Sequence, residues 1–88
     1  MKVIFEASFA RDLKRIREKP ILERVEQAIV GVKNADTLQD IPSINKLSGH
    51  DTYYRIRVGD FRIGLEVVGD EILFVRILHR KDIYRYFP

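Results

Sequence analysis

Residues 53–79 read YYRIRVGDFRIGLEVVGDEILFVRILH, and this stretch decides the fold. Three runs rich in β-branched and aromatic residues, Tyr53–Val58, Phe61–Val68 and Ile72–Leu78, are separated by Gly59-Asp60 and Gly69-Asp70. A two-residue gap that starts with glycine fits a primed hairpin turn. The spacing predicts three antiparallel strands. In the first hairpin Val58 then faces Phe61, Arg57 faces Arg62 and Ile56 faces Ile63. Side chains alternate along a strand, so Tyr54, Ile56, Val58, Phe61, Ile63, Leu65 and Val67 share one face. Arg55, Arg57 and Arg62 share the other. Like charges directly opposite each other oppose pairing, so this open face invites an anion.

The last strand has two registers. A two-residue Gly69-Asp70 loop puts Ile72, Phe74 and Arg76 on the core face. A three-residue loop, with Glu71 joining as a bulge, puts Leu73, Val75 and Ile77 there. The second is preferred, because it keeps Arg76 out of the core and brings Arg80 to the face of Arg55, Arg57 and Arg62. It leaves Phe74 and Leu78 on the open face, for the C-terminal segment 82–88 or a partner to cover. It also turns His79 toward the core.

Upstream, Val3-Ile4-Phe5 reads as a short strand. Ser8 is the expected N-cap of a first helix, with Phe9, Leu13 and Ile16 at helical spacing. Arg11, Lys14, Arg15 and Arg17, with Asp12 and Glu18 interspersed, are read as its solvated face in preference to an RNA-docking ridge. Pro20 breaks that helix and suits the first turn of the next. Leu22, Val25, Ile29 and Val32 form the second helix's stripe, and Asn34-Ala35-Asp36 ends it. Residues 37–51 look irregular. The expectation is one α+β domain over residues 1–88: an N-terminal strand, a two-helix hairpin, a three-stranded antiparallel sheet and a short C-terminal segment.

With 88 residues, 45% hydrophobic and 33% charged, the chain has a globular composition. It has no cysteine, which excludes disulfides, zinc–thiolate sites and a thiol nucleophile. No apolar run reaches the roughly 20 residues of a membrane span, and the start is too soon charged for a signal peptide; a cytoplasmic location is expected. The formal charge is +3. Arg55, Arg57 and Arg62 bunch together, as do Arg76, Arg80, Lys81 and Arg85. Arginine grips phosphate through a planar fork, so nucleic acid is a fair partner. His50 and His79 are far apart in sequence with no clustered carboxylates, so no metal or other cofactor is expected. Asp60 and Asp70 are turn residues.

Three segments carry a family resemblance: Asn45-Lys46-Leu47-Ser48-Gly49, Tyr54 to Ile63, and His79-Arg80-Lys81-Asp82-Ile83-Tyr84. In this order they resemble the RelE/ParE superfamily of toxin–antitoxin toxins, over essentially the whole chain. The RelE-like branch implies a metal-independent messenger-RNA endonuclease working in the ribosomal A site. It implies phosphate-handling or catalytic roles for Arg57, Arg62, Arg80 and Tyr84, and binding roles for Arg55, Lys46, Lys81 and Arg85. The implied partners are a cognate antitoxin, the ribosome and messenger RNA. The pattern calls for lysine where this chain has Arg55 and Arg57, so a lysine general base does not carry over. A ParE-like gyrase inhibitor is one alternative; a catalytically weak antitoxin-binding member is the other.

Overall fold

A computed structural model describes all of residues 1–88. The β-rich stretch forms β3 (Tyr53–Val58), β4 (Phe61–Val68) and β5 (Glu71–His79). Gly59 and Gly69 open the two connecting turns at φ 58° and 61°, a backbone region that costs glycine nothing. The first hairpin has the expected register, with Arg57 opposite Arg62 and Ile56 opposite Ile63.

Two further strands belong to the same sheet. β1 (Lys2–Phe5) lies parallel to β5, and β2 (Ile44–Lys46) lies antiparallel to β3, giving the order β1-β5-β4-β3-β2. The sheet is therefore five-stranded and mixed, not three-stranded. β2 comes from the segment expected to be irregular. Three residues carry too little alternation to announce a strand, and Ile44 is placed by its partner Ile56.

Both expected helices form, α1 over Ala7–Lys14 and α2 over Lys19–Asn34, and Pro20 sits in the first turn of α2. They cover one face of the sheet, with Phe9, Val25 and Val32 packed on Ile56, Ile63 and Phe74. The N-cap of α1 is Glu6, not Ser8. Ser8 lies inside the helix and its hydroxyl donates to the Val75 carbonyl.

That bond belongs to a larger pattern. β1 pairs with β5 only as far as Phe5 opposite Phe74, which leaves the rest of β5 as a bare edge. From there α1 satisfies the edge. The Glu6 amide donates to the Phe74 carbonyl, Ser8 to the Val75 carbonyl, and Asp12 accepts the Ile77 amide. Asp12 is thus buried at 3% exposure and is not part of a solvated face. Its neighbours Arg11, Lys14, Arg15 and Arg17 are exposed.

The second hairpin corrects the preferred register. Val68 pairs with Glu71, so the Gly69-Asp70 loop has two residues. The irregularity lies mid-strand instead: Leu65 faces Phe74 while Gly64 faces Arg76, so Val75 is the extra residue of a β-bulge. Parity flips there. Ile72 and Phe74 are buried before the bulge and Ile77 after it. Phe74 is therefore a core residue, wedged against Phe5 and Phe9, and does not lie on the open face. Leu78, opposite Arg62, does lie there. So does a second apolar cluster of Leu47, Ile83 and Phe87, built by the C-terminal helix α3 (Ile83–Tyr86).

Candidate active site

The site is assembled on the open face, beyond the edge of that second cluster. Arg57 and Arg62 are cross-strand neighbours on β3 and β4. Arg55 lies two residues before Arg57, so strand alternation puts it on the same face. Arg80 follows β5 directly, and its amide donates to the Asp60 carbonyl in the β3–β4 turn at 2.7 Å. This bond ties the end of β5 to the arginine hairpin. The bulge at Val75 makes the juxtaposition compatible with a two-residue second turn.

Arg62 is the centre of the group. Its Nη1 donates to the carbonyls of Gly59 and Phe61 at 2.7 and 2.9 Å, so the guanidinium folds back over the turn. Burial, then the charges of Arg57, Arg55 and Arg80, lower its pKa from the ordinary arginine value; Asp60 acts in the opposite sense. Arg55, Arg57 and Arg80 thus lie close enough to repel Arg62, and none of the four has a carboxylate partner within salt-bridge distance. Like-charge repulsion on an accessible face is relieved when an anion lies against it.

Tyr84 of α3 borders this group. The Arg55 guanidinium carbon lies 5.3 Å from its ring centroid, within cation–π range, and Tyr84 is 58% exposed. Arg55 and Tyr84 line a cleft of about 180 Å³ with Lys46, Leu47 and Ser48. Lys46 reaches it from β2 and lies 3.9 Å from Asp51. The structure thus brings together Arg55, Arg57, Arg62 and Arg80, and beside them Lys46 and Tyr84. Lys81 and Arg85 are exposed, and neither side chain forms an ion pair. His79 turns to the helix side, edge-on to Phe61 at 5.7 Å, and its Nδ1 accepts the Lys81 amide at 3.2 Å. No three His, Asp or Glu side chains gather into a metal-binding group.

Two residues of the surrounding frame escaped sequence reading. Arg76 pairs with buried Asp12 and lies under Tyr86, 5.8 Å from its ring centroid. Gly64 receives the ring of Phe87. A glycine inside an otherwise β-rich run was the available signal for the second. The first had none, because its partner lies 64 residues away.

Residues 3–84 match the family described as the ParE toxin of type II toxin–antitoxin systems. Along its full length the chain is 48% identical to Toxin RelE3 of Methanocaldococcus jannaschii, covering 100% of both proteins. The RelB–RelE antitoxin–toxin complex from Methanococcus jannaschii contains a chain that superposes with a TM-score of 0.80 at 45% identity, covering 97% of this chain and 99% of that one. The fold alone is shared with the YoeB dimer of Staphylococcus aureus, at a TM-score of 0.69 and 19% identity over 86% of this chain and 92% of that one. The arginine hairpin, the sheet that carries it and the full-length relatives agree: the chain belongs to the RelE/ParE superfamily of type II toxin–antitoxin toxins, on its RelE-like branch.

Proposed function

We propose that this toxin is a ribosome-dependent endoribonuclease that cleaves messenger RNA without a metal ion. The observation that carries the reading is the convergence of Arg55, Arg57 and Arg80 on Arg62, with Tyr84 at the border. The ribose 2′-oxygen attacks the adjacent phosphorus, the bond from phosphorus to the 5′-oxygen breaks, and a 2′,3′-cyclic phosphate and a 5′-hydroxyl remain. The 2′-hydroxyl proton passes to water, and a proton from water reaches the leaving 5′-oxygen. Arg57, Arg62 and Arg80 hold the phosphate and neutralise charge that grows on its oxygens. Preorganised stabilisation of this kind commonly contributes more to rate than any other single effect. Tyr84 offers its half-open ring to a base or orients the 2′-hydroxyl. Arg55, Lys46, Lys81 and Arg85 bind flanking phosphates. With arginines at 55 and 57 the site works by alignment and charge, not by a lysine base.

The solved RelB–RelE relative is an antitoxin–toxin complex, and this supports a cognate antitoxin here, acidic where it meets the arginine face. Phe74 cannot serve as its apolar foothold, being fully buried; Tyr84 and Tyr86 are the exposed aromatics nearby. A cytoplasmic site of action accords with a ribosomal target, and no helix is long and apolar enough to cross a membrane.

The test is induction in cells, with messenger-RNA ends mapped beside an assay for gyrase-linked DNA breaks. Cuts in phase with codons on translated messages support the reading. Trapped double-strand breaks without such cuts would replace it with gyrase poisoning, and growth unaffected by induction would leave an antitoxin-binding protein without catalysis.

A further inference from the structure

Gly64 lies mid-strand in β4, opposite the bulged segment of β5. It has no positive φ to demand glycine, and glycine inside a strand weakens it. The reason is on the open face. A Cβ at residue 64 would stand 2.7 Å from two atoms of the Phe87 ring and 2.8 Å from a third. Phe87 is 2% exposed, and Tyr53 meets it edge-on at 5.5 Å. Its ring therefore rests directly on the β4 backbone.

Phe87 and Ile83 are four positions apart, on one side of the single turn of α3, and both are buried in the cluster with Leu47. Tyr84, one residue after Ile83, consequently leaves the helix in another direction. That direction takes it over Arg55. A four-residue helix has no stability of its own, so the burial of Ile83 and Phe87 holds it, with the Phe87 ring seated on Gly64.

We propose that Gly64 and Phe87 are positioning residues, a socket and its ring, that fix Tyr84 against Arg55 for the cleavage step. The proposal rests on the endoribonuclease reading for its kinetic consequence only. Phe87 touches no substrate in this arrangement. It acts through Tyr84, and an active-site ring displaced by about 1 Å can cost about 10²-fold in rate.

The experiment has two arms. By NMR, the Arg55 side-chain protons of the wild type carry a ring-current shift from Tyr84. Phe87→Ala abolishes that shift while the amide pattern of β3 and β4 persists; a retained shift overturns the proposal. On programmed ribosomes, Phe87→Ala lowers the single-turnover rate about 10²-fold with ribosome KM unchanged, and adds no further loss in a Tyr84→Ala background. An equal loss in both backgrounds overturns it, since the ring would then act on the fold at large. If Phe87→Ala does not fold, Phe87→Leu, which keeps most of the apolar bulk, takes its place in both arms. If the wild type cleaves nothing, the endoribonuclease reading fails, and the ring-current arm alone decides whether the socket positions Tyr84.

Discussion

Asp12 in α1 holds Arg76 in β5 by two hydrogen bonds, Nε to Oδ2 at 2.7 Å and Nη2 to Oδ1 at 3.1 Å, and its Oδ2 also accepts the Ile77 amide at 3.1 Å. One carboxylate thus closes the bare edge of β5, neutralises the cation beside the bulge, and joins the helix layer to the strand that leads to Arg80. The Asp12 side chain is 1% exposed and that of Arg76 22%, so the pair is sheltered from screening.

Asp12→Asn should therefore destabilise the protein by about 2–3 kcal/mol, since it leaves a half-buried guanidinium without its counter-charge and weakens the bond to Ile77. Chemical denaturation measures this. The hydrogen bond to Asp12 outweighs the opposing effect of burial and raises the Arg76 pKa above the ordinary arginine value. A raised cation pKa contributes stability that is whole below the unfolded value and is lost only as pH climbs through the folded one. Arg76 should accordingly add no slope to stability between about pH 5 and 9. An Asp12→Asn midpoint equal to the parent's would show that water replaces the carboxylate.

The arginine face should behave in the opposite way. Relieving the repulsion around Arg62 with Arg57→Gln should stabilise the fold slightly, by about 0.2–0.5 kcal/mol, because Arg57 is exposed and its field is partly screened. The same change should slow cleavage by orders of magnitude. Paired thermal melts and ribosome cleavage assays read both effects. A variant that loses stability and keeps its rate would contradict the assignment of the face to an anion.

Arg80→Ala should abolish toxicity while altering stability by no more than about 1 kcal/mol. The bond that holds the β5 end to the Asp60 carbonyl comes from the Arg80 backbone amide and survives the substitution. Growth after induction gives the answer. A fully toxic Arg80→Ala protein would move the site elsewhere on the surface.

His79 tests the absence of a base. It faces the helix layer beside Phe61, away from the guanidinium groups, so His79→Gln should chiefly cost stability. The same change should leave the pH profile of the single-turnover rate unaltered. If His79→Gln were well folded yet slower by about 10²-fold or more, the imidazole would be acting as the base.

What the amino-acid order determined by itself was local. Gly59-Asp60 set the hairpin, the hairpin set its register, and alternation then put Arg55, Arg57 and Arg62 on one face. The apolar spacing of Phe9, Leu13 and Ile16, and of Leu22, Val25, Ile29 and Val32, likewise announced two helices with inward stripes. Each inference spans only a few residues, where turn geometry and side-chain period leave one outcome. The β5 register was different. Both candidate parities were half right, because Ile72 and Phe74 follow one and Ile77 the other. The switch between them is the bulge at Val75, which stands where β1 ends and α1 takes over the edge. Asp12 read as one charge among many on a helix surface, and became buried only because a distant strand presented Arg76 and an unpaired amide. Gly64 took its meaning from Phe87, and Ile44 its strand from Ile56. In each case a backbone group or an empty volume had to be satisfied by a residue far along the chain. That requirement exists only once the layers are packed, so tertiary structure decided it.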